Sequence, residues 1–197
     1  MRLRDVKDTS ISTLATEPVS PMGRYFNSSV LSIYIIGVLE FEVPFDTCLA
    51  IPLLNQLFLP INPRFSSIMV QDKSGEKQWK KVGVNLKDHI KIPLFPKFKS
   101  QESYDNYFAD YISRIALEQL PQSRPLWEIH IINYPTSKGE SSIIFKLHHA
   151  LGDGCSLMGA LFSCLQRADD PFLPSWGQAN HLTLQTSLSC RLCENMA

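Results

Sequence analysis

Ser142-Ile143-Ile144-Phe145-Lys146-Leu147 runs straight into His148-His149-Ala150-Leu151-Gly152-Asp153-Gly154, and the fold class turns on how this passage is read. The first six residues are short, apolar and β-branched at their centre, the composition of a strand. Alternation puts Ile143, Phe145, Leu147 and His149 on one face, and Ile144, Lys146 and His148 on the other. His149 is thus expected at the end of the more apolar face, where the strand gives way to a loop. Histidine titrates closest to neutrality and is the side chain best suited to general-base work. Such a base needs a rigidly backed, partly desolvated position that stays open to a substrate, and a strand end supplies one.

The segments on either side extend the pattern. Leu126–Tyr134 reads as a second strand, and Thr136-Ser137-Lys138-Gly139 as the turn joining the two into a hairpin. Residues 154–166 repeat apolar positions (Leu157, Met158, Leu161, Phe162, Leu165) and predict a helix buried on most sides. Cys155 and Cys164 flank it and are read as core residues. Strand, strand and helix in this order make the chain a mixed α/β protein, a sheet flanked by helices.

The histidine passage also has plainer readings. Adjacent histidines on a strand point apart and do not chelate one ion, and no second cluster with zinc-like spacing supports them, so no metal is expected. Asp153-Gly154 has the chemistry of a helix start, since an aspartate accepts from the first free N–H groups. That role is compatible with a base at His149, because a capped helix behind the loop would hold the ring still. Arg64 and Arg124 are both candidate partners for Asp153.

Further out, residues 1–20 are polar and read as loosely ordered, apart from the docking of Pro18-Val19-Ser20-Pro21. Residues 29–41 predict a strand. Asp46 to Phe58 carries leucines at helical spacing, with Pro52 either kinking that helix or beginning its main part. Phe65–Val70 and Gln78–Val84 predict two strands joined at Asp72-Lys73-Ser74-Gly75. Lys87–Lys99 reads as a solvated basic surface loop. Glu102–Leu120 predicts a helix whose stripe of Tyr104, Phe108, Tyr111 and Ile115 faces the core, stopped by Pro121. Trp127 and Glu128 are expected to pack and brace, and His89 and His130 to be ordinary histidines.

Composition narrows the function classes. The chain has 197 residues, enough for a substantial core, and 44% are hydrophobic. With 19 basic and 19 acidic side chains the net charge is zero, which gives no electrostatic case for nucleic acid. The five cysteines form no disulfide framework; Cys190 and Cys193 make a lone pair in the tail. The longest apolar run, residues 30–39, falls well short of the ~20 residues a membrane span needs. The N-terminus lacks the apolar stretch of a signal peptide.

Several blocks in fixed order carry a resemblance. They are Pro21-Met22-Gly23-Arg24-Tyr25-Phe26, Leu59-Pro60-Ile61-Asn62-Pro63-Arg64-Phe65-Ser66-Ser67, Trp79-Lys80-Lys81-Val82, Pro125-Leu126-Trp127-Glu128, and His148 to Gly154 followed by Ser156-Leu157-Met158. The last matches an HHxxxDG motif, and together the blocks resemble the plant-type wax ester synthase/diacylglycerol acyltransferase family, within the chloramphenicol-acetyltransferase-like acyltransferases. The resemblance implies a mixed α/β acyltransferase half that passes a fatty acyl group from acyl-CoA to a long-chain alcohol or to diacylglycerol. By motif it implies His149 as general base, with His148, Asp153 and Gly154 supporting it. It implies no metal and no organic cofactor, acyl-CoA being a co-substrate. It also implies oxyanion donors in a second half of the enzyme and peripheral contact with the endoplasmic reticulum membrane.

The resemblance runs from Pro18 to about Asp170, so residues 21–170 are expected to form the acyltransferase domain. Residues 171–197 show no clear period and are expected to form a divergent, poorly ordered tail, as from a truncated or alternatively spliced frame. A catalytically inactive form that binds lipid or a partner, and self-associates through an open face, is the alternative expectation. A third is a small-molecule acyltransferase acting as a trimer, against which the plant-type blocks argue.

Overall fold

The computed structural model describes residues 17–28, 30–97 and 100–163. The expected tail, the N-terminal sixteen residues and Cys164 lie outside the described residues.

Glu17–Pro18 forms a two-residue strand, β1, and Pro21–Phe26 a short helix, α1, capped by Ser20, whose hydroxyl accepts from Gly23 N at 3.1 Å. Tyr34–Phe41 is β2. It starts five residues later than the sequence suggests, because the stretch before it bends through a Ser28–Leu31 turn. Thr47–Leu53 is α2, capped by Asp46. Pro52 lies inside it, and the chain continues through a π-helical turn at Leu54–Phe58 into α3, Leu59–Ile61. Proline lacks the N–H that a regular turn uses, and a widened π turn is a common adjustment in such a helix.

A 3-10 turn at Pro63–Ser66 leads into β3, Ser67–Gln71, which pairs antiparallel with β4, Lys77–Lys81. The expected turn between them is built by Asp72, which accepts from Ser74 N and Glu76 N, with Gly75 at φ +85°. That conformation favours glycine. β1 completes this small sheet in the order β1-β4-β3. The docking expected of Pro18 to Pro21 is therefore a strand pairing followed by a helix cap.

Residues 87–91 depart from the expected loop, whereas 92–97 carry no helix or strand. Leu86–His89 forms α4 and Ile90–Lys91 forms β5, which pairs parallel with the next strand. The lysines concealed the two apolar anchors, Leu86 and Phe95, both buried. Gln101–Leu117 is the long helix α5, capped by Ser100 and ending four residues before Pro121. Trp127–Ile132 is β6 and Ser141–His148 is β7, an antiparallel hairpin closed at Thr136 and Gly139 as expected. The larger sheet runs β2-β7-β6-β5.

Both faces of this sheet are covered, so every residue of β6 and β7 is buried. One face presents Trp127, Ile129, Ile131, Ile143, Phe145 and Leu147 to a core that includes Phe58, Phe65 and Trp79. Phe58 stacks on Phe65 and meets Trp127 edge-on. On the other face Ile132 and Ile144 pack with Phe95 and the predicted stripe of α5, where Tyr111 and Ile115 are buried. That second face also carries His148, Lys146, Glu128 and His130, all buried. No helix among the described residues is long and apolar enough to cross a membrane.

Candidate active site

Three backbone hydrogen bonds and one from a side chain build the position of His149. Its strand ends at His148, and residues 149–151 form a 3-10 turn. His149 therefore leaves the strand alternation one residue earlier than the sequence pattern implies. His149 N donates to Ile33 O at 2.9 Å, His148 N donates to Leu126 O at 3.0 Å, and Gly152 N reaches back to His149 O at 3.4 Å. Arg64 Nη1 donates to Leu151 O at 3.2 Å, tying the far end of the turn to the Pro63–Ser66 segment. Helix α1 packs on the outside of the turn. A Cβ added to Gly23 would crowd Val19 Cγ1 at 3.0 Å and Ser20 Oγ at 3.1 Å, and would meet Ala150 O of the turn at an ordinary 3.5 Å.

The two histidines have opposite surroundings. His148 is fully buried. Its Nδ1 accepts from Ala150 N at 3.0 Å, which leaves the proton on Nε2, 3.2 Å from Ser32 Oγ. Ser32 in turn donates to Tyr34 Oη at 2.9 Å, and that oxygen also accepts from Leu120 N at 3.1 Å. Tyr34 sits edge-on to the His148 ring. Burial pushes the His148 pKa down to about 4, with nearby His149 and Lys77 adding to the effect, so the ring is neutral at pH 7. His149 is half-buried, its ring 4.5 Å from that of Phe26, and among the described residues neither of its ring nitrogens has a hydrogen-bond partner.

Asp153 meets neither Arg64 nor Arg124. Arg64 pairs with Glu17, and Arg124 with Glu128. Asp153 is exposed and caps α6, Gly154–Ser163, accepting from Ser156 N at 2.7 Å. That bond is the chief reason its carboxyl lies below the usual range, and a hydrogen bond from the Ser156 side chain adds to it. The partners differ from expectation because a carboxylate immediately before a helix finds free N–H groups locally, without a distant arginine. Gly154 opens the helix, and a Cβ there would meet no described atom. In α6, Leu157 is buried but Cys155 and Ser156 are exposed. Cys155 is thus not a core residue: it falls on the outward side of the first turn.

Trp127 and Glu128 brace as expected, Trp127 through a hydrogen bond from Nε1 to Phe65 O at 2.9 Å. His89 stacks on Trp127 and bonds its carbonyl at 2.7 Å, and His130 accepts from Tyr111 Oη at 2.8 Å. Both are buried histidines with depressed pKa values. The sequence blocks far apart in the chain therefore form one frame, with α1, the Arg64 turn and the Trp127 strand all touching the His149 turn. Ser32, Tyr34 and Phe26 were missed as site residues. The first two had a legible signal, two hydroxyls spaced by two ahead of an otherwise apolar strand; Phe26 had none beyond its block. Among the described residues no group of three or more metal-ligating side chains comes together.

The sequence matches the wax ester synthase/diacylglycerol acyltransferase catalytic domain over residues 61–192. That match continues past Asp170, where the block resemblance seemed to end. Wax ester synthase/diacylglycerol acyltransferase 11 of Arabidopsis thaliana is 37% identical over 166 residues, 84% of this chain and 33% of that protein. Number 3 of the same plant is 34% identical, over 85% of this chain and 34% of its own length. The chain thus spans about a third of these relatives. In fold it is similar to the wax ester synthase/diacylglycerol acyltransferase of Marinobacter aquaeolei VT8, with a TM-score of 0.53 at 19% identity, over 72% of this chain and 36% of that one. The starter condensation domain of rhizomide synthetase RzmA gives a TM-score of 0.57 at 12% identity, over 75% and 36%.

Proposed function

Because the chain belongs to the wax ester synthase/diacylglycerol acyltransferase family, we propose that it carries the general base of an O-acyl transfer from acyl-CoA to a long-chain alcohol or to diacylglycerol. The observation that carries this reading is His149: half-buried, held through the backbone on both sides, with ring nitrogens that no described residue occupies. Its neutral nitrogen takes the proton from the acceptor hydroxyl as the oxygen attacks the thioester carbonyl. The collapse of the tetrahedral intermediate expels the CoA thiolate, which receives that proton. Such assistance is worth roughly 10²–10⁴ in rate.

The neighbours suit that task. His148 stays neutral, so no second cation opposes the imidazolium that forms on His149. Asp153 caps the helix that follows the His149 turn through Ser156 N and so fixes the far side of the loop. Neither role calls for a metal or an organic cofactor. Substrates of this kind belong with peripheral contact at the endoplasmic reticulum membrane. The test is an assay of the purified chain with labelled palmitoyl-CoA, offering hexadecanol and diacylglycerol in separate reactions. Ester in one reaction names the acceptor and links the chain to wax or to triacylglycerol synthesis; hydrolysis alone, with no ester, counts against transfer.

One observation favours a second reading. Met22, Tyr25 and Val30 are exposed apolar side chains within ten residues of one another, the first two on α1, which packs on the His149 turn. An inactive form that binds lipid or a partner, a second copy of the chain included, would use such a surface. Sedimentation of the chain with and without Tyr25→Ser and Val30→Ser distinguishes association through this surface from a monomer.

A further inference from the structure

A polar cleft opens one residue away from the ring that packs on His149. Phe26 meets His149, and the next two residues, Asn27 and Ser28, line the cleft. Its volume is about 490 Å³, inside the ~300–1,000 Å³ span of small-molecule sites. Ser32 and Tyr34 form another wall, so the hydroxyl that meets His148 Nε2 also faces the cleft. Lys77, Gln119 and Gln122 complete the lining, and no acidic side chain belongs to it.

The donors here exceed the acceptors. Lys77 pairs with no carboxylate among the described residues and gives a single hydrogen bond, to Asn27 O. Two of its three N–H groups remain. The Oε1 of Gln122 is taken by Asn27, which turns its NH₂ group free. The Gln119 amide has no partner among the described residues. A half-buried cation without a counter-charge, flanked by two amide donors, selects an anion with several acceptor oxygens. The lining is too polar for an acyl chain. The cleft is also far larger than one small ion, since a water takes about 30 Å³.

We propose that this cleft binds a phosphate group carried on a larger polar body, with Lys77 supplying the charge and Gln119 and Gln122 the amide donors. The proposal rests on the acyl-transfer reading only for the source of that phosphate, which is either the nucleotide end of CoA or the headgroup of a phospholipid. Ligand in the cleft touches Ser32, and Ser32 is joined through His148 to Ala150 in the turn that bears His149. Occupancy and base position therefore share one hydrogen-bond chain.

The test is a set of titrations of the full chain followed by backbone amide NMR, with calorimetry for affinity. The probes are CoA, 3′-dephospho-CoA, and phosphatidylcholine vesicles with and without phosphatidic acid. CoA shifting the Ser32, Gln119 and Gln122 resonances, with weaker binding of 3′-dephospho-CoA, assigns the nucleotide source. Shifts with phosphatidic acid vesicles alone assign the lipid source. In either case Lys77→Met weakens binding roughly tenfold, the loss of one charge-assisted contact. Because Lys77 also bonds Asn27, Gln119→Leu is the second variant; its side chain is exposed and bonds no described residue, so it leaves the thermal midpoint unchanged while weakening the same probe. The proposal is overturned if no probe shifts these residues, or if both variants bind as the wild type does. If CoA binds in the cleft but no ester forms, the acyl-transfer reading fails and the cleft stands; ester synthesis indifferent to Lys77→Met and Gln119→Leu gives the reverse.

Discussion

His148 and His130 set a pH window that follows chiefly from burial, with nearby cationic groups adding to it. Burial holds each at about 4 in the folded chain, against an ordinary value of 6.5. Between those values the unfolded chain binds more protons than the folded one, so stability falls as pH falls. The contribution is complete above pH 6.5 and is lost progressively toward pH 4, to the extent of about 2–3 kcal/mol per ring. The urea midpoint at pH 4.5 is accordingly predicted to lie well below that at pH 7; equal midpoints would show that the rings are not held neutral. Asp153 makes a separate residue-scale prediction. As the cap of α6, it costs about 1 kcal/mol when replaced by alanine, and Asp153→Asn restores most of that because an amide oxygen still accepts from Ser156 N. Failure of asparagine to restore the midpoint would mean that charge, and not capping, sets its contribution.

At the scale of elements, α1 is the piece whose fit decides where His149 sits. Gly23→Val crowds Val19 Cγ1 and Ser20 Oγ at the start of the helix and is predicted to displace α1, and Phe26 with it, costing about 1–3 kcal/mol. The His149 ring proton shifts report the loss of Phe26, and an unchanged spectrum would contradict this packing. Elements whose signals are local were legible in the sequence: the β6–β7 hairpin, the Asp72 turn and the α5 stripe all follow from alternation, turn chemistry and helical spacing. Those set by distant partners were not. β5 is two residues long and exists because β6 offers it a parallel edge, and β1 exists because β4 does. The motif singled out His149 and its neighbours, whereas the hydroxyl chain that holds His148 depends on the Tyr34↔His148 register, which no local pattern states.

For the whole molecule, two faces of one sheet divide the work. The apolar face, centred on Trp127, Phe58 and Phe145, fixes the frame. Trp127→Ala is predicted to cost about 3–5 kcal/mol and to loosen the His149 turn with it, since His148 pairs with the backbone of Leu126 beside it; calorimetric unfolding checks the magnitude. The face under α5 carries the buried titratable groups. If, as proposed, this frame presents His149 as a base, His149→Ala is the decisive variant. Acyl transfer from labelled palmitoyl-CoA is compared between wild type and variant, with the thermal midpoint of each recorded. The expected result is ester from the wild type, a loss of roughly 10²-fold or more in the variant, and an unchanged midpoint because no hydrogen bond to a described residue is removed from the ring. Ester formed equally well by a folded His149→Ala chain would contradict it.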